Sequence, residues 1–439
     1  MTNIVAGNVR ESIGKYMLAD GMNHVIDLEK SHGSWLVDGR DDKEYLDLFS
    51  MFASMSVGYN HPYVLGNKNR ITIAALNKPT NSDVYSTQMA KFVTTMGRLA
   101  QPEYLPYAFY VEGGALAVEN ALKTAFDWKV RKNLAEGKKD GGSKILHFKE
   151  CFHGRSGYTL SLTDSPDPRK TQYFPKFDWP RIDNPKLHFP VTDEVIEEVK
   201  LKEAKVVQQI ETALHQYPDE IAGLIIEPIQ GEGGDNHFRE GFFRKLRKLA
   251  DQHEFLLIYD EVQTGGGITG KMWAHQHYGD DCRPDIISFG KKTQVCGIFA
   301  GNRLDEVDDH VFKESGRINS TWGGNLVDMV RFTIYLEIME QENLVEQVAE
   351  NGAYLKQELE SLQRKHPDIL SNVRNRGLFG AFDLRTTEER DKVTGLVAEE
   401  GALMLGCGHK SIRFRPHLNI SQSEIDSGLK IINRALDRV

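Results

Sequence analysis

Phe255-Leu-Leu-Ile-Tyr-Asp260-Glu261-Val262-Gln263-Thr264-Gly265 runs from an apolar segment straight into two acids. A short continuous apolar run with such an abrupt end reads as a buried strand. Lys144-Ile-Leu-His-Phe148, Ile221-Ala-Gly-Leu-Ile-Ile226 and Ile286-Ile-Ser-Phe289 have the same character. Val118, Ala121, Leu122, Ala125 and Phe126 follow the spacing of a single helical face. Apolar strands alternating with helices predict an α/β domain with a mostly parallel sheet. Ligands of such sheets bind beyond the carboxyl ends of the strands, which is where Asp260 and Glu261 fall.

Outside this region the pattern changes. A short helix is expected from Arg10 to Leu18, followed by a hairpin of Gly33–Val37 and Tyr45–Phe49 around the charged turn Asp38–Lys43. After Asn325 a long helical stretch spans Val327 to Arg364. It is followed by strand-like Gly377–Leu384, a helix from Glu388 to Glu400, strand-like Ser411–Arg415 and a helix from Ser423 to Arg438. The expected division is an N-terminal segment 1–60, a large domain 61–325 and a C-terminal part 326–439, with both ends building one smaller α+β domain.

The chain has 439 residues and a net charge of −9, which argues against a general attraction to nucleic acid or anionic membrane. No apolar run is long enough to span a bilayer. The N-terminal stretch Met1–Arg10 lacks the basic-then-apolar pattern of a signal peptide. The cysteines at 151, 282, 296 and 407 form no CxxC pair, no disulfide framework and no metal-ligand set. A cytoplasmic location is expected, with no metal.

A carboxylate at a buried strand end is costly unless a cation or a hydrogen-bond donor meets it. The second apolar run ends in Gly290-Lys291-Lys292. A lysine there is partly desolvated, which frees its amine for Schiff-base formation. A single cofactor with a cationic ring nitrogen and a carbonyl would suit both strand ends. Glu112-Gly113-Gly114-Ala115-Leu116 opens a helix with small residues, so backbone N–H groups can approach a phosphate there. Asn319-Ser-Thr321-Trp-Gly-Gly324-Asn325 offers hydroxyls and glycines for a second phosphate contact.

Taken together with Phe152-His153-Gly154 and Glu227-Pro-Ile-Gln230-Gly-Glu232, these segments resemble class III aminotransferases of fold type I, in that family's order. Within the class, four segments are similar to the L-lysine 6-aminotransferases: Leu76–Tyr85, Glu112–Asn120, Phe174–Asp183 and Phe289–Gly297. The resemblance implies a seven-stranded, mostly parallel sheet and pyridoxal 5'-phosphate as cofactor. Lys291 would hold the cofactor covalently and shuttle the proton. The choice of Lys291 over Lys292 follows the family's Gly-Lys step. Asp260 would pair with the pyridine nitrogen, Gln263 would approach the phenolic oxygen, and Phe152 would stack on the ring. Gly114 and Ala115 would cup the phosphate, although Gly113 and Ala115 replace the hydroxyl residues of many class members. Thr321 would reach the phosphate in a neighbouring subunit, which implies a homodimer with shared sites.

The resemblance also implies the substrates, L-lysine and 2-oxoglutarate. Guanidinium groups bind carboxylates bidentately. Arg413 would take the 1-carboxylate of the keto acid. Arg155 would take its distal carboxylate and the α-carboxylate of lysine. Glu232 would cover Arg413 while the amine donor is bound, because an unpaired buried charge is expensive. Arg415, two residues along a strand from Arg413, faces the other way. Ornithine and 4-aminobutyrate are the alternative amine donors. A mutase or decarboxylase would not need the Glu232–Arg413 pair.

Overall fold

The computed structural model describes residues 4–439. Met1 to Asn3, the start of the N-terminal stretch discussed above, lie outside the described residues. The central sheet has seven strands in the order Tyr107–Val111, Cys296–Ala300, Ile286–Phe289, Leu256–Asp260, Ile221–Ile226, Lys144–Phe148 and Arg181–Ile182. The four runs read as strands are all strands, and they lie parallel to one another. Only Cys296–Ala300 runs against its neighbours. This is the mostly parallel seven-stranded sheet that the resemblance implied.

Alternation along the strands sorts side chains onto two faces. Leu256 and Ile258 join Val118, Ala121, Leu122, Ala125 and Trp128 of the helix Gly114–Ala135 in one core. Leu257 and Tyr259 face the opposite core with Phe289 and Phe299. Asp260 shares the parity of Leu256 and Ile258, so it points to the side on which that helix begins. Glu261 turns the other way. It accepts hydrogen bonds from the backbone N–H groups of Ala274 at 3.0 Å and His275 at 2.8 Å. The adjacent acids therefore have separate tasks, and Glu261 serves the loop.

One of the smaller sheets joins the two ends of the chain. Trp35–Val37 and Glu44–Asp47 form the expected antiparallel hairpin, and Ala402–Leu403 adds a parallel strand to it. Ser371–Arg376, Phe379–Asp383, Ser411–Phe414 and Leu405–Cys407 form a four-stranded sheet. Three readings need correction. The first α-helix is shorter, Val9–Gly14. The long helical stretch is two helices, Leu326–Gln341 and Leu344–Lys365, parted at Asn343, whose φ of 50° is left-handed. Asparagine tolerates that conformation better than most residues. The strand placed at Gly377–Leu384 is the second arm of a hairpin whose first arm, Ser371–Arg376, is polar and carries no apolar signal.

Candidate active site

Asp260 ends its strand nearly fully buried and bonded on both oxygens. Oδ2 lies 2.6 Å from Nδ1 of His153. Oδ1 accepts from the Val262 N–H at 3.0 Å and from the Ser288 hydroxyl at 3.1 Å. Burial opposes a charge on His153, but the neighbouring Cys151 and Asp260 outweigh it and push the imidazole well above its ordinary value. Behind them sits Glu227, which accepts from the backbone N–H groups of Phe152 at 2.8 Å and Gly231 at 3.1 Å. Burial raises its carboxyl to about 7. His153 and Glu227 lie within quoted segments, yet neither carries a local signal that it gathers at Asp260.

Three of the segments converge by close packing. A Cβ on Gly114 would meet a Val262 methyl at 2.9 Å, and one on Gly154 would meet the Ala115 methyl at 2.6 Å. The start of the helix Gly114–Ala135 is thus pressed against the loop after Asp260 and against Phe152-His153-Gly154. No side chain caps that helix start, so its leading N–H groups are available to an anion.

Lys291 follows the strand next to that of Asp260, where Ser288 is the register partner of Asp260. Its φ of 52° is left-handed, a conformation that costs a non-glycine residue about 1 kcal/mol or more and persists where the surroundings impose it. Among the described residues nothing bonds to its Nζ. Burial, and then the charge of Arg413, lower its pKa. Lys292 is turned away. Its Nζ donates to the carbonyl of Met55 at 2.8 Å, the hydroxyl of Ser50 at 3.3 Å and the carbonyl of Pro416 at 3.4 Å. Those partners fill all three of its N–H positions. This gives a physical reason for preferring Lys291 over its neighbour. Lys292 holds the turn Ser50–Ala53, in which four consecutive non-glycine residues have positive φ.

Arg413 is buried beside Glu232, with Nη1 to Oε2 at 3.1 Å. Its Nε has no partner. The other oxygen of Glu232 accepts from Lys170 Nζ at 2.6 Å, a contact absent from the sequence reading. Burial would raise the Glu232 carboxyl, but Arg413 and Lys170 hold it below the ordinary range. Arg415 faces elsewhere, bonded to Asp235 and to Oε1 of Gln263, and stacked 3.3 Å from the centre of the Phe379 ring. With Oε1 engaged, Gln263 keeps its amide N–H groups free. Arg155 is exposed and its guanidinium lies 5.9 Å from the Phe152 ring centre, as does the Lys170 ammonium. Thr321 is exposed in a loop whose Trp322 ring lies under Lys78 at 4.0 Å. Arg155 and Thr321 are the two expected site residues that the single chain leaves open to solvent.

This layout defines a class, the fold type I enzymes that work with pyridoxal 5'-phosphate. The residues suit that group: an unbonded lysine for its carbonyl, a buried acid for its ring nitrogen and an uncapped helix start for its phosphate. The sequence profile described as Aminotransferase class-III matches residues 16–436. The chain is 48% identical to the L-lysine-epsilon aminotransferase of Mycobacterium tuberculosis strain H37Rv, over 98% of this chain and 95% of that one. Human mitochondrial 4-aminobutyrate aminotransferase is 34% identical over 91% and 82%. The structure described as lysine aminotransferase from M. tuberculosis in the internal aldimine form superposes with a TM-score of 0.96, at 47% identity, covering 99% of this chain and all of that one. The chain belongs to the class III aminotransferases, and its cofactor is pyridoxal 5'-phosphate.

Proposed function

We propose that the protein transfers the ε-amino group of L-lysine to 2-oxoglutarate, giving glutamate and 2-aminoadipate 6-semialdehyde, in two half-reactions that share one pocket. The observation that carries this reading is Arg413, a buried guanidinium covered by a carboxylate that a keto acid could displace. The lysine-epsilon aminotransferase relatives support lysine as the donor.

When bound, pyridoxal phosphate supplies a carbonyl for the amine and a ring that takes up the electrons of the broken C–H bond. The chain supplies the rest. Lys291 holds the cofactor through Nζ and then moves the proton, helped by a pKa that burial has lowered. Asp260, held by His153, keeps a proton on the ring nitrogen. Gln263 turns its amide toward the phenolic oxygen, and Phe152 covers a ring face. Gly114 and Ala115 present backbone N–H groups to the phosphate. With lysine bound, Glu232 neutralises Arg413 beside an aliphatic chain, and Arg155 meets the α-carboxylate. With 2-oxoglutarate bound, Arg413 takes the 1-carboxylate and Arg155 the distal one.

The reading includes a homodimer in which Thr321 reaches the partner's phosphate. The exposed Leu76, Val84, Tyr85 and Trp322 around that loop support a covered surface. It also includes the division at 1–60, 61–325 and 326–439, and a cytoplasmic location. Four buried, unpaired cysteines fit a reducing compartment. Among the described residues no helix is long and apolar enough to cross a membrane.

The test is to incubate holoenzyme with 2-oxoglutarate and each of L-lysine, L-ornithine and 4-aminobutyrate, and to quantify glutamate. Lysine is expected to give the highest kcat/KM. A higher value for ornithine or 4-aminobutyrate would overturn the donor assignment, and no glutamate from any donor would overturn the reaction.

A further inference from the structure

Glu232 has one oxygen on each of two cations, Arg413 at 3.1 Å and Lys170 at 2.6 Å. Its backbone has little freedom. A Cβ on Gly231 would collide with the Gln263 side chain, and one on Gly233 with the Glu150 carbonyl. The Glu232 carbonyl also accepts from the Gly408 N–H at 2.8 Å. Any displacement of the carboxylate must therefore come from side-chain rotation. Room for it exists on one side. A cleft of about 630 Å³ is lined by Glu232, Lys170, Arg169, Arg390 and His409, and Arg413 does not reach it. Lys170 ends the short turn Pro168–Lys170, and among the described residues its ammonium hydrogen-bonds to nothing but Glu232.

We infer that Lys170 is a positioning residue for the exchange of substrates: it is the cation that keeps Glu232 paired when the keto acid takes Arg413. The inference rests on Glu232 being the group that leaves Arg413. A carboxylate leaving an arginine without another partner would give up its counter-charge while still mostly buried. With Lys170 already bonded, Glu232 gives up one of two contacts and swings into the cleft with its charge still matched. Arg413, whose Nε is buried and unpartnered, is left with open donors for the incoming carboxylate. The amine donor does not need this movement, so Lys170 acts on one half-reaction.

The two half-reactions can be measured separately on holoenzyme by stopped-flow absorbance, with L-lysine and with 2-oxoglutarate. For Lys170→Met, kcat/KM for 2-oxoglutarate is expected to fall about 10-fold while that for lysine stays within about twofold, as for loss of one charged hydrogen bond. Lys170→Arg should restore most of the loss. In a Glu232→Gln background, adding Lys170→Met should change neither half-reaction, because the partner charge is gone. Equal losses in both half-reactions, no rescue by arginine, or an undiminished loss in the Glu232→Gln background would each overturn the role of Lys170. If Glu232→Gln alone leaves the ratio of the two half-reactions as in the parent, the switch reading of Glu232 falls and the inference with it. A ratio altered by Glu232→Gln but not by Lys170→Met would remove Lys170 alone.

Discussion

The floor of the site and its mouth are built differently. On the floor, Asp260 is held by His153, Val262 and Ser288, and Glu227 by two backbone N–H groups, all in the interior. At the mouth, Glu232 divides itself between two cations, Arg413 has an unused donor, and Arg155 stands exposed. The carboxylates of the floor are bonded on every oxygen, and of its imidazole only Nε2 of His153 lacks a partner, because the floor meets one cofactor in one orientation, and fixed dipoles work best where nothing has to rearrange. The mouth leaves bonds open because it must accept two molecules whose carboxylates lie at different distances from the reacting carbon.

That contrast can be attacked at five points. Lys291→Ala should have the largest effect, a loss of about three orders of magnitude in glutamate formation at saturating substrates, the middle of the range for a proton-transfer group. Asp260→Ala should cost about 3–5 kcal/mol in urea unfolding, because it strands a buried His153 without its counter-charge. A loss below about 1 kcal/mol would mean that the floor is not the rigid half. Arg413→Gln should raise KM for 2-oxoglutarate about 10- to 100-fold, as for a charged hydrogen bond. Its stability should stay near that of the parent, because Lys170 still pairs Glu232.

The fourth point is pH. The Glu227 carboxyl at about 7 binds its proton more tightly in the folded than in the unfolded chain. The folded state therefore loses stability as pH rises from roughly 4.5, where the unfolded carboxyl ionises, to about 7. Relative to the parent, Glu227→Gln should gain about 2–3 kcal/mol between pH 5 and pH 8 in thermal unfolding. A constant difference across that range would show that Glu227 is ionised throughout. Arg155→Gln should be the mildest change, a few-fold rise in KM for lysine that shrinks further in high salt, because exposed charges are screened. If Arg155→Gln matched Arg413→Gln, exposure would be a poor guide to which arginine matters.

The sequence carried the strand ends well. Asp260 and Lys291 announce themselves because an apolar run stops at a charge, and charges do not enter a core without cause. The helix opening at Gly114 was legible for the same kind of reason, since small residues precede a clear apolar face. Contacts between distant segments were not legible. His153 reaches Asp260 across 107 positions, and Lys170 reaches Glu232 across 62. Neither residue differs in local pattern from an ordinary polar side chain. The left-handed turn Ser50-Met-Phe-Ala53 contains no glycine to mark it, so it stayed hidden. The edge strand Ser371–Arg376 was missed because its single apolar residue, Val373, sets up no apolar periodicity. Asn343 did carry a usable signal, a left-handed-tolerant residue inside an overlong helix.

Lys291 and Lys292 are neighbours in the chain and opposites in chemical accessibility. Burial lowers the Lys292 ammonium to about 7, but its Nζ is enclosed by the Met55 and Pro416 carbonyls and the Ser50 hydroxyl in the interior, so an electrophile has no approach to it. Acylating reagents, or an aldehyde together with a reductant, applied to the cofactor-free protein should therefore label one member of the pair, and peptide mapping should find the tag on Lys291. Covalent inhibitors aimed at this site need no selectivity of their own between the two lysines, because the cage around Lys292 provides it.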